Sequence, residues 1–423
     1  MLTQTQAKNL IHNNPARLGY YVGFDDLTEL HNDWLKKMLF KAGDQTRQSH
    51  RGSYKTTCDA LVLALTLIIR PWENVLFLRK TDNDVNEVLE LVKRIVESGC
   101  FQELSKAVTG TALKITKENR NEIDTNFNVG ISGAPQILGL GLGTSVTGKH
   151  ADLIITDDIV TIRDRVSAAE REKTKLMYQE LQSVKNRGGR IINTGTPWHK
   201  NDAFGLMKNI EKHDCYSTGL MTDEQIRSLR ESMSASLFAA NYELKHIADE
   251  DAMFDDPAYT QDISRVFGGI CHIDAAYGGA DSTAFTILNE DKGQLVVYGK
   301  KYQKHVDDCV NEILTLKEKL RGGTTWNEFN ADKGYLNKSL KARGDIAKSY
   351  HETMNKHIKI STYLKENWKR IVFLEDTDPE YIAEILDYTE HAQHDDCPDS
   401  LASAIRQLTD RKPATLNKVT GGL

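Results

Sequence analysis

The chain has few of the features that mark membrane, secreted or zinc-binding proteins. No apolar run reaches the about 18 residues that a membrane-spanning helix needs. The N-terminus lacks the basic-then-apolar layout of a signal peptide. Six cysteines are scattered among 423 residues without a CxxC pair, which argues against a zinc site and fits the reducing cytoplasm.

What remains is the composition of a soluble globular protein, with 39% hydrophobic and 27% charged residues. The length predicts two or three domains. A net charge of −6 excludes a uniformly basic DNA-binding surface, so phosphate contacts must come from local basic clusters. The clusters are Lys80, Lys93 and Arg94; Lys185, Arg187 and Arg190; and Lys333, Lys338, Lys341 and Arg343. A solvated helix face explains each of them equally well.

The first half alternates predicted strands and helices, which is the pattern of a parallel α/β sheet. The predicted helices cover 26–42, 60–69, 82–96 and 167–184, and the predicted strands cover 74–78, 153–156 and 190–194. A glycine-rich run at 139–143 does not open a helix. We therefore interpret it as a flexible loop and not as a dinucleotide-binding fingerprint.

A candidate phosphate-binding loop lies directly before one predicted helix. A P-loop places backbone N–H groups and a lysine around phosphates at a helix N-terminus. Lys55 would reach the β- and γ-phosphates, and Thr56 would bind Mg²⁺. Tyr54 stands where glycine is usual, and a plain loop-to-helix transition is the alternative. The candidate nucleotide-binding residues are Arg51, Gly52, Ser53, Tyr54, Lys55, Thr56 and Thr57.

Two downstream segments support a nucleotide site. The predicted strand at 153–156 ends in Asp157, which would hold Mg²⁺ through water, and Asp158, which would position the attacking water. The alternative is a strand end that caps the next helix. A third strand ends in a polar turn that would sense hydrolysis beside the γ-phosphate. This coupling turn contains Thr194, Gly195 and Thr196.

Beyond residue 262 the order of predicted elements changes. Strands at 269–275, 283–289 and 294–302 are followed by a helix at 304–320, a strand at 324–329 and more helices. This is the order of an RNase H-like fold. The predicted division is a P-loop ATPase domain of the RecA or ASCE type with a parallel sheet (1–214), a helical connector or lid (215–262) and an RNase H-like nuclease domain (263–423).

Separated acids in the second half suit a two-metal nuclease, in which paired Mg²⁺ ions activate water and stabilise the leaving oxygen. Asp274 would bridge the ions, and Glu328 with Asp395 or Asp396 would complete the shell. Asp332 is a rival to Glu328.

Three further residues have roles that the sequence leaves open. Asp281 would hold a metal-bound water, and His394 would position an acid. Asp399 is either a metal ligand or the N-cap of the helix after it. The predicted catalytic residues are Lys55, Asp158, Asp274, Glu328 and Asp396. The predicted metal-binding residues are Thr56, Asp157, Asp274, Asp281, Glu328, Asp395, Asp396 and Asp399.

Taken together, these motifs resemble the large terminase subunit of tailed bacteriophages over about residues 26–410. Arg51 precedes Lys55 by four residues, as an arginine often does in that family. The runs 148–158 and 194–197 resemble its second and coupling motifs, and the nuclease acids fall at the family's positions. Arg79, Arg94 and Arg120 remain candidates for an arginine that acts on ATP in trans.

The resemblance implies a motor that uses ATP and Mg²⁺ to drive double-stranded DNA into a procapsid, and a nuclease, which Mn²⁺ would also support, that cuts the concatemer. It implies a portal protein and a small terminase subunit as partners, and a homo-oligomeric ring, a pentamer, on the procapsid. It places the protein in the host cytoplasm and transiently at the portal, outside the mature virion and away from membranes.

Two other interpretations remain open. One is a stand-alone RNase H-like nuclease or recombinase whose first half only binds nucleotide or DNA. The other is a non-catalytic scaffold, such as a prophage remnant with decayed motifs, an idea that Tyr54 alone supports. DNA-stimulated ATP turnover would separate the motor from the first, and metal-dependent DNA cleavage would exclude the second.

Overall fold

The computed structural model describes residues 2–130, 133–233, 235–245, 253–254, 256–278, 282–330, 332–389, 392 and 394–409. The chain forms two compact units, Met1–Arg227 with Leu237–Ile247, and Ser228–Ser236 with Ala248–Leu423. The segment predicted as a connector, 215–262, is divided between them. None of the described helices has the length and apolar character needed to cross a membrane.

The first unit is an α/β unit around an eight-stranded sheet. Its strands are β1 (Gln45–Ser49), β2 (Val75–Arg79), β3 (Ile115–Glu118), β4 (Glu122–Thr125), β5 (Ile137–Gly141), β6 (Ala151–Asp157), β7 (Lys185–Gly195) and β8 (Ile210–His213). Its first helices are α1 (Gln4–Asn13), α2 (Ala16–Tyr20), α3 (Glu29–Phe40), α4 (Lys55–Ile69), α5 (Asp82–Glu97) and α6 (Gly99–Thr109). They are followed by α7 (Ile162–Val166), α8 (Ala168–Val184), a 3₁₀ turn at Ala203–Leu206 and a π turn at Ala239–Glu243. Two short helices, α9 (Asp223–Glu231) and α10 (Ala235–Phe238), each contain residues of both units.

The strand order in this sheet is β3-β4-β5-β2-β6-β7-β1-β8. All pairs from β5 to β8 are parallel, and the pairs β3–β4 and β4–β5 are antiparallel. Strand β7 lies between β1 and β6, which is the arrangement of ASCE-type P-loop ATPases. The ends of β1, β6 and β7 therefore meet at one edge of the sheet.

Strand β1 is unusual because all five of its residues, which are polar, are buried. Packing provides partners for part of it: Gln45 Nε2 donates to the carbonyls of Lys37 and Lys41 at 3.0 and 3.1 Å. The Arg47 guanidinium lies over the Trp34 ring, 4.7 Å from its centroid. Burial in this position lowers the pKa of Arg47.

The interpretation of 139–143 as a flexible loop is wrong, because Ile137–Gly141 forms β5, parallel to β2. Glycine is needed there for packing and not for flexibility. A Cβ on Gly139 would lie 2.4 Å from Cγ1 of Val85, and a Cβ on Gly141 would lie 2.7 Å from the backbone nitrogen of Asp82. The two glycines therefore let α5 pack directly against the sheet.

The second unit is an α/β unit around a seven-stranded sheet. Its strands are β9 (Ala258–Thr260), β10 (Ile270–Asp274), β11 (Thr283–Asp291), β12 (Gln294–Tyr302), β13 (Thr325–Glu328), β14 (Ala347–Tyr350) and β15 (Ile371–Leu374). Its helices are α11 (Val306–Lys319), α12 (Tyr335–Ala342), α13 (Lys356–Lys359), α14 (Pro379–Leu386) and α15 (Asp396–Thr409), with 3₁₀ turns at Ile263–Val266 and Trp368–Arg370 and a π turn at Ile360–Lys365.

The order in the second sheet is β14-β13-β10-β11-β12-β15-β9. Strands β10, β11 and β12 form an antiparallel meander, β13 is parallel to β10, and β14 is parallel to β13. This is the RNase H-like arrangement, extended by β15 and β9 beside β12. The predicted fold class is therefore confirmed for both halves. Strand β9, inside the predicted connector, belongs to this sheet.

Candidate nucleotide site and candidate nuclease centre

The loop between β1 and α4 has the geometry of an anion-binding turn. Gly52 has a φ of +79°, and Tyr54, directly before the helix, is left-handed with a φ of +58°. A side chain in that conformation costs about 1–2 kcal/mol. The Tyr54 hydroxyl donates to Asp26 Oδ2 at 2.7 Å, which anchors the tyrosine in the position where glycine is usual. The loop opens onto the N-terminus of a 15-residue helix.

The lysine of this loop meets the acid pair that follows β6. Lys55 Nζ lies 3.3 Å from Asp158 Oδ2, and the Thr56 hydroxyl donates to Asp157 Oδ2 at 2.8 Å. Asp158 has a φ of +46°, a strained backbone conformation of the kind found at functional sites. Burial and the neighbouring Asp158 raise the pKa of Asp157, while Arg79 and Lys55 act in the opposite direction.

The end of β7 and the residue after it join the same cluster. The Thr194 hydroxyl lies 2.7 Å from Asp59 Oδ2 and 3.1 Å from Asp157 Oδ1. The Thr196 hydroxyl contacts the carbonyl of Ser49, at the end of β1, at 3.4 Å. The three segments singled out in the sequence therefore converge. Of the other predicted residues, Arg51 and Ser53 lie in the loop, Thr57 lies in the first turn of α4, and Gly195 is the last residue of β7.

Two residues of the cluster were not placed in it from the sequence: Asp59, which was not named, and Arg79, which was named only as a candidate to act on ATP in trans. Arg79 ends β2 beside β6, with its Nε 3.1 Å from Asp157 Oδ2 and its Nη2 3.8 Å from Asp158 Oδ2. Asp59 is fully buried one turn after Lys55, and burial raises its pKa well above the ordinary value. The signal for Arg79 was available, because adjacent parallel strands end at the same edge of a sheet. Arg94 and Arg120 line a different surface cavity.

A cavity of about 670 Å³ adjoins the loop. Its lining includes Asp26, Arg51, Tyr54, Gln225 and Tyr242. This volume lies in the range of about 300–1,000 Å³ that small-molecule sites occupy.

The candidate nuclease centre lies at one edge of the second sheet. Asp274 ends β10 and Glu328 ends β13, and these strands are adjacent, with Ile273 opposite Asn327. Helix α15 carries Asp396 and Asp399 in its first turn. Asp399 is thus inside the helix, so the alternative that it is the N-cap is wrong. His272 fastens α15 to β10 through Ser400, with Nδ1 and Oγ 3.0 Å apart.

Burial disfavours the ionised form of these carboxyls, because few neighbouring groups replace their contacts with water. Asp274 Oδ2 is buried and has no hydrogen-bond partner among the described residues. Burial, with the nearby Asp399 and Asp396, raises the pKa of Asp274. Asp396 accepts from the Ser282 backbone N–H at 2.8 Å, and burial raises its pKa to about 7. Burial also raises the pKa of Glu328.

Lysines from α13 neutralise the remaining acids. Lys356 Nζ lies 2.6 Å from Asp395 Oδ1, and Lys359 Nζ lies 2.7 Å from Asp399 Oδ1. Lys359 Nζ also lies 3.1 Å from Glu352 Oε2, and the other oxygen of Glu352 pairs with Arg406 at 2.6 Å. No sequence motif pointed to these lysines.

The centre fits a divalent cation by the type and charge of its oxygens. The buried Asp274 Oδ2 has no hydrogen-bond partner in the described part of the chain, and hard cations take carboxylate oxygens as ligands. In the parts of the chain that the structure describes, no three His, Cys, Asp or Glu side chains already form a metal-binding arrangement. Asp281 lies outside the described residues.

The carboxylate of Asp332, the alternative to Glu328, already accepts several hydrogen bonds. Its oxygens accept from the backbone N–H groups of Gly334 and Leu336 at 2.7 and 2.6 Å, and it also contacts the Tyr277 hydroxyl. These contacts hold Asp332 against the start of α12, whose N-cap is Gly334, which favours Glu328 over Asp332 as the acid of the centre.

Comparisons with known proteins give structural similarities only. No family model matches the chain, and no curated protein does. The large terminase of a thermophilic bacteriophage matches with a TM-score of 0.36 and 10% identity, over 89% of this chain and 98% of that one. The HK97 bacteriophage large terminase matches with a TM-score of 0.37 and 12% identity, over 85% of this chain and 88% of that one. The large terminase nuclease of thermophilic phage G20c with bound magnesium matches with a TM-score of 0.27 and 17% identity, over 36% of this chain and 85% of that one. At these scores the similarity assigns no function, which must be argued from the chain's own residues.

Proposed function

We propose that the first unit hydrolyses ATP. The observation that carries this proposal is the meeting of Lys55, the Asp157–Asp158 pair and Thr194 at one edge of the sheet. Lys55 would bind the β- and γ-phosphates, and Asp158 would orient the attacking water and take up its proton. Thr56 and Asp157 would hold Mg²⁺, which supplies charge neutralisation on the phosphates. The adjoining cavity would take the nucleoside.

We propose that the second unit cleaves DNA with divalent metal. Asp274, Asp396 and Glu328 would hold the ion or ions, and Mg²⁺ or Mn²⁺ would supply the activated water and stabilise the leaving oxygen. Asp395 and Asp399 are already paired with lysines, so we place them around the metal ligands and not among them. The two-ion arrangement predicted from the sequence remains a proposal.

The two activities in one chain fit a viral DNA-packaging motor that drives double-stranded DNA into a procapsid and cuts the concatemer. In that role the protein would work as a ring, a pentamer, on a portal protein, with a small terminase subunit delivering DNA, in the host cytoplasm. The domain division at 1–214, 215–262 and 263–423 belongs to the same proposal. A stand-alone nuclease whose first half only binds nucleotide or DNA is the second candidate.

One experiment tests the proposal: the purified chain is assayed for ATP hydrolysis with and without DNA, and for plasmid cleavage with Mg²⁺ or Mn²⁺. The motor requires both activities, with DNA-stimulated hydrolysis. Cleavage without DNA-stimulated hydrolysis would favour the stand-alone nuclease. The absence of both activities would favour the scaffold.

A further inference from the structure

Two buried histidines contact backbone carbonyl groups of the loop between β1 and α4. His31, in the first turn of α3, and His50, directly after β1, are both fully buried. His31 Nε2 lies 3.1 Å from the carbonyl oxygen of Ser53, and His50 Nδ1 lies 2.8 Å from the carbonyl oxygen of Arg51. Two carbonyl groups of the loop are therefore each held by an imidazole ring.

The neighbours of each ring determine which nitrogen carries the proton. His31 Nδ1 accepts from the backbone N–H of Thr28 at 2.9 Å, so the proton is on Nε2, which donates to Ser53. His50 Nδ1 faces a carbonyl oxygen, which can only accept, so Nδ1 carries the proton. His50 Nε2 is then left to accept from the Thr218 hydroxyl at 2.9 Å. Burial lowers the pKa of both histidines, so both rings are neutral donors at neutral pH.

Each of these contacts also sets the direction of a backbone N–H. In a planar trans peptide the N–H points away from the C=O of the same unit. Because the carbonyls of Arg51 and Ser53 are turned towards the buried histidines, the N–H groups of Gly52 and Tyr54 point to the opposite side. In the described chain neither N–H has a hydrogen-bond partner.

The two free N–H groups belong to residues that face open space. Gly52 and Tyr54 both line the cavity beside the loop, and both have the positive φ angles given above. Backbone N–H groups in a turn of this kind form a concave site that binds anions. They are therefore available to a phosphate group.

We propose that His31 and His50 are positioning residues, which hold two loop carbonyls and thereby direct the N–H groups of Gly52 and Tyr54 at the phosphates of the nucleotide. This inference rests on the proposed ATPase function. Neither histidine touches the nucleotide. Glutamate or glutamine is usual at the capping-box position that His31 fills, and the second ring nitrogen of the histidine adds the donor that reaches the loop.

The test compares full-length variants that keep or remove each donor. His31→Gln retains an N–H close to the position of Nε2, whereas His31→Met has a similar length and no donor. His50→Asn retains an N–H close to the position of Nδ1, whereas His50→Leu has none. Asn32→Ala is the control for α3, because Asn32 is buried beside His31 and donates to the carbonyl of Asn13 at 3.1 Å. Its loss weakens the same helix without removing a contact to the loop.

Binding of ADP and of inorganic pyrophosphate, each with Mg²⁺, is measured by calorimetric titration below the melting temperature of every variant. Pyrophosphate has no nucleoside, so its affinity depends on the phosphate contacts alone. We expect His31→Met and His50→Leu to weaken both ligands about 10-fold or more, because hydrogen bonds to charged groups are among the stronger ones in proteins. The glutamine and asparagine variants and Asn32→Ala should stay within a few-fold of the wild type.

Three results would overturn the inference and leave the nucleotide site intact. The first is wild-type affinity for both ligands in His31→Met and His50→Leu. The second is loss of ADP binding alone, because the effect would then lie in the nucleoside cavity, which Thr28 lines. The third is a glutamine or asparagine variant that binds as weakly as its apolar counterpart, because the donor would then have no effect.

Two further outcomes are also decisive. If one apolar variant fails to fold, the pair of variants at the other histidine decides by the same criteria. A wild-type chain that binds neither ADP nor pyrophosphate would refute the proposed ATPase function itself, and the inference with it.

Discussion

Replacement of Lys359 by Met should destabilise the second unit severely. The Lys359 side chain is 1% exposed and pairs with two acids, Asp399 at 2.7 Å and Glu352 at 3.1 Å. Methionine keeps the apolar stem but leaves the buried Asp399 with only the more distant Lys356, at 3.9 Å, and Glu352 with only Arg406, at 2.6 Å. Loss of one member of a buried pair costs about 3–5 kcal/mol, which lowers the melting temperature by roughly 6–20 °C in a unit of this size.

Lys356→Met is the matched control. Its side chain is 49% exposed, 2.6 Å from Asp395 Oδ1 and 3.9 Å from Asp399 Oδ2. Because solvent screens these pairs more than those of Lys359, its loss should cost about 0–1 kcal/mol. The assay is calorimetric melting of the full chain, with the two variants side by side. The reasoning fails if Lys359→Met melts within 2 °C, roughly the effect of less than 1 kcal/mol, of Lys356→Met.

The pH dependence gives a second check. The pKa of Lys359 is raised, so its stabilising contribution is complete below the ordinary value of 10.5 and is lost only as pH rises through the higher folded value. The pKa of Glu352 is lowered to about 2, so its contribution is present above 4.5 and is lost as pH falls towards 2. Burial raises the pKa of Asp399, the other partner of Lys359, so this acid takes up a proton above its ordinary value. The deficit of Lys359→Met should therefore be largest on the alkaline side of neutrality and shrink as pH falls.

Three further predictions concern the proposed active sites. Lys55→Ala should reduce ATP hydrolysis about 10²–10³-fold, because the transferred phosphate loses its ammonium contact; a rate within a few-fold of wild type would refute the nucleotide site. Asp158→Asn should keep ATP binding and lose hydrolysis, whereas Asp157→Asn should weaken Mg²⁺-dependent binding; titrations that agree for both variants would contradict this division. Asp274→Asn should abolish metal-dependent cutting and leave ATP turnover near normal, as measured on one preparation.

The sequence predicted which motif residues lie close together in each site, but not which other side chains contact them. Asp157, Asp158 and Thr194 could be placed beside Lys55 because parallel strands end at one edge of a sheet, and Asp274 beside Glu328 for the same reason. Lys356 and Lys359 could not be predicted, because α13 has no motif and its position depends on packing between distant segments.

The error at 139–143 has a physical cause. The glycines in β5 weaken a strand signal that is based on side-chain character, and the polar residues in β1 weaken it in the same way. In each case tertiary contacts decide: the Arg47–Trp34 stacking in β1, and the close approach of α5 to Gly139 in β5. Neither contact is visible in a local stretch of sequence.

Tyr54 bears on how much order the phosphate-binding loop already has before any ligand arrives. A glycine there would leave the free loop many conformations, all of which ligand binding must remove. The tyrosine restricts the backbone, and its hydrogen bond to Asp26 holds one conformation. Some of the entropy that a glycine loop loses at binding is thus lost already at folding, and preorganisation of this kind favours affinity. Replacement of Tyr54 by glycine would increase the number of conformations that the phosphate-binding loop adopts in the free protein.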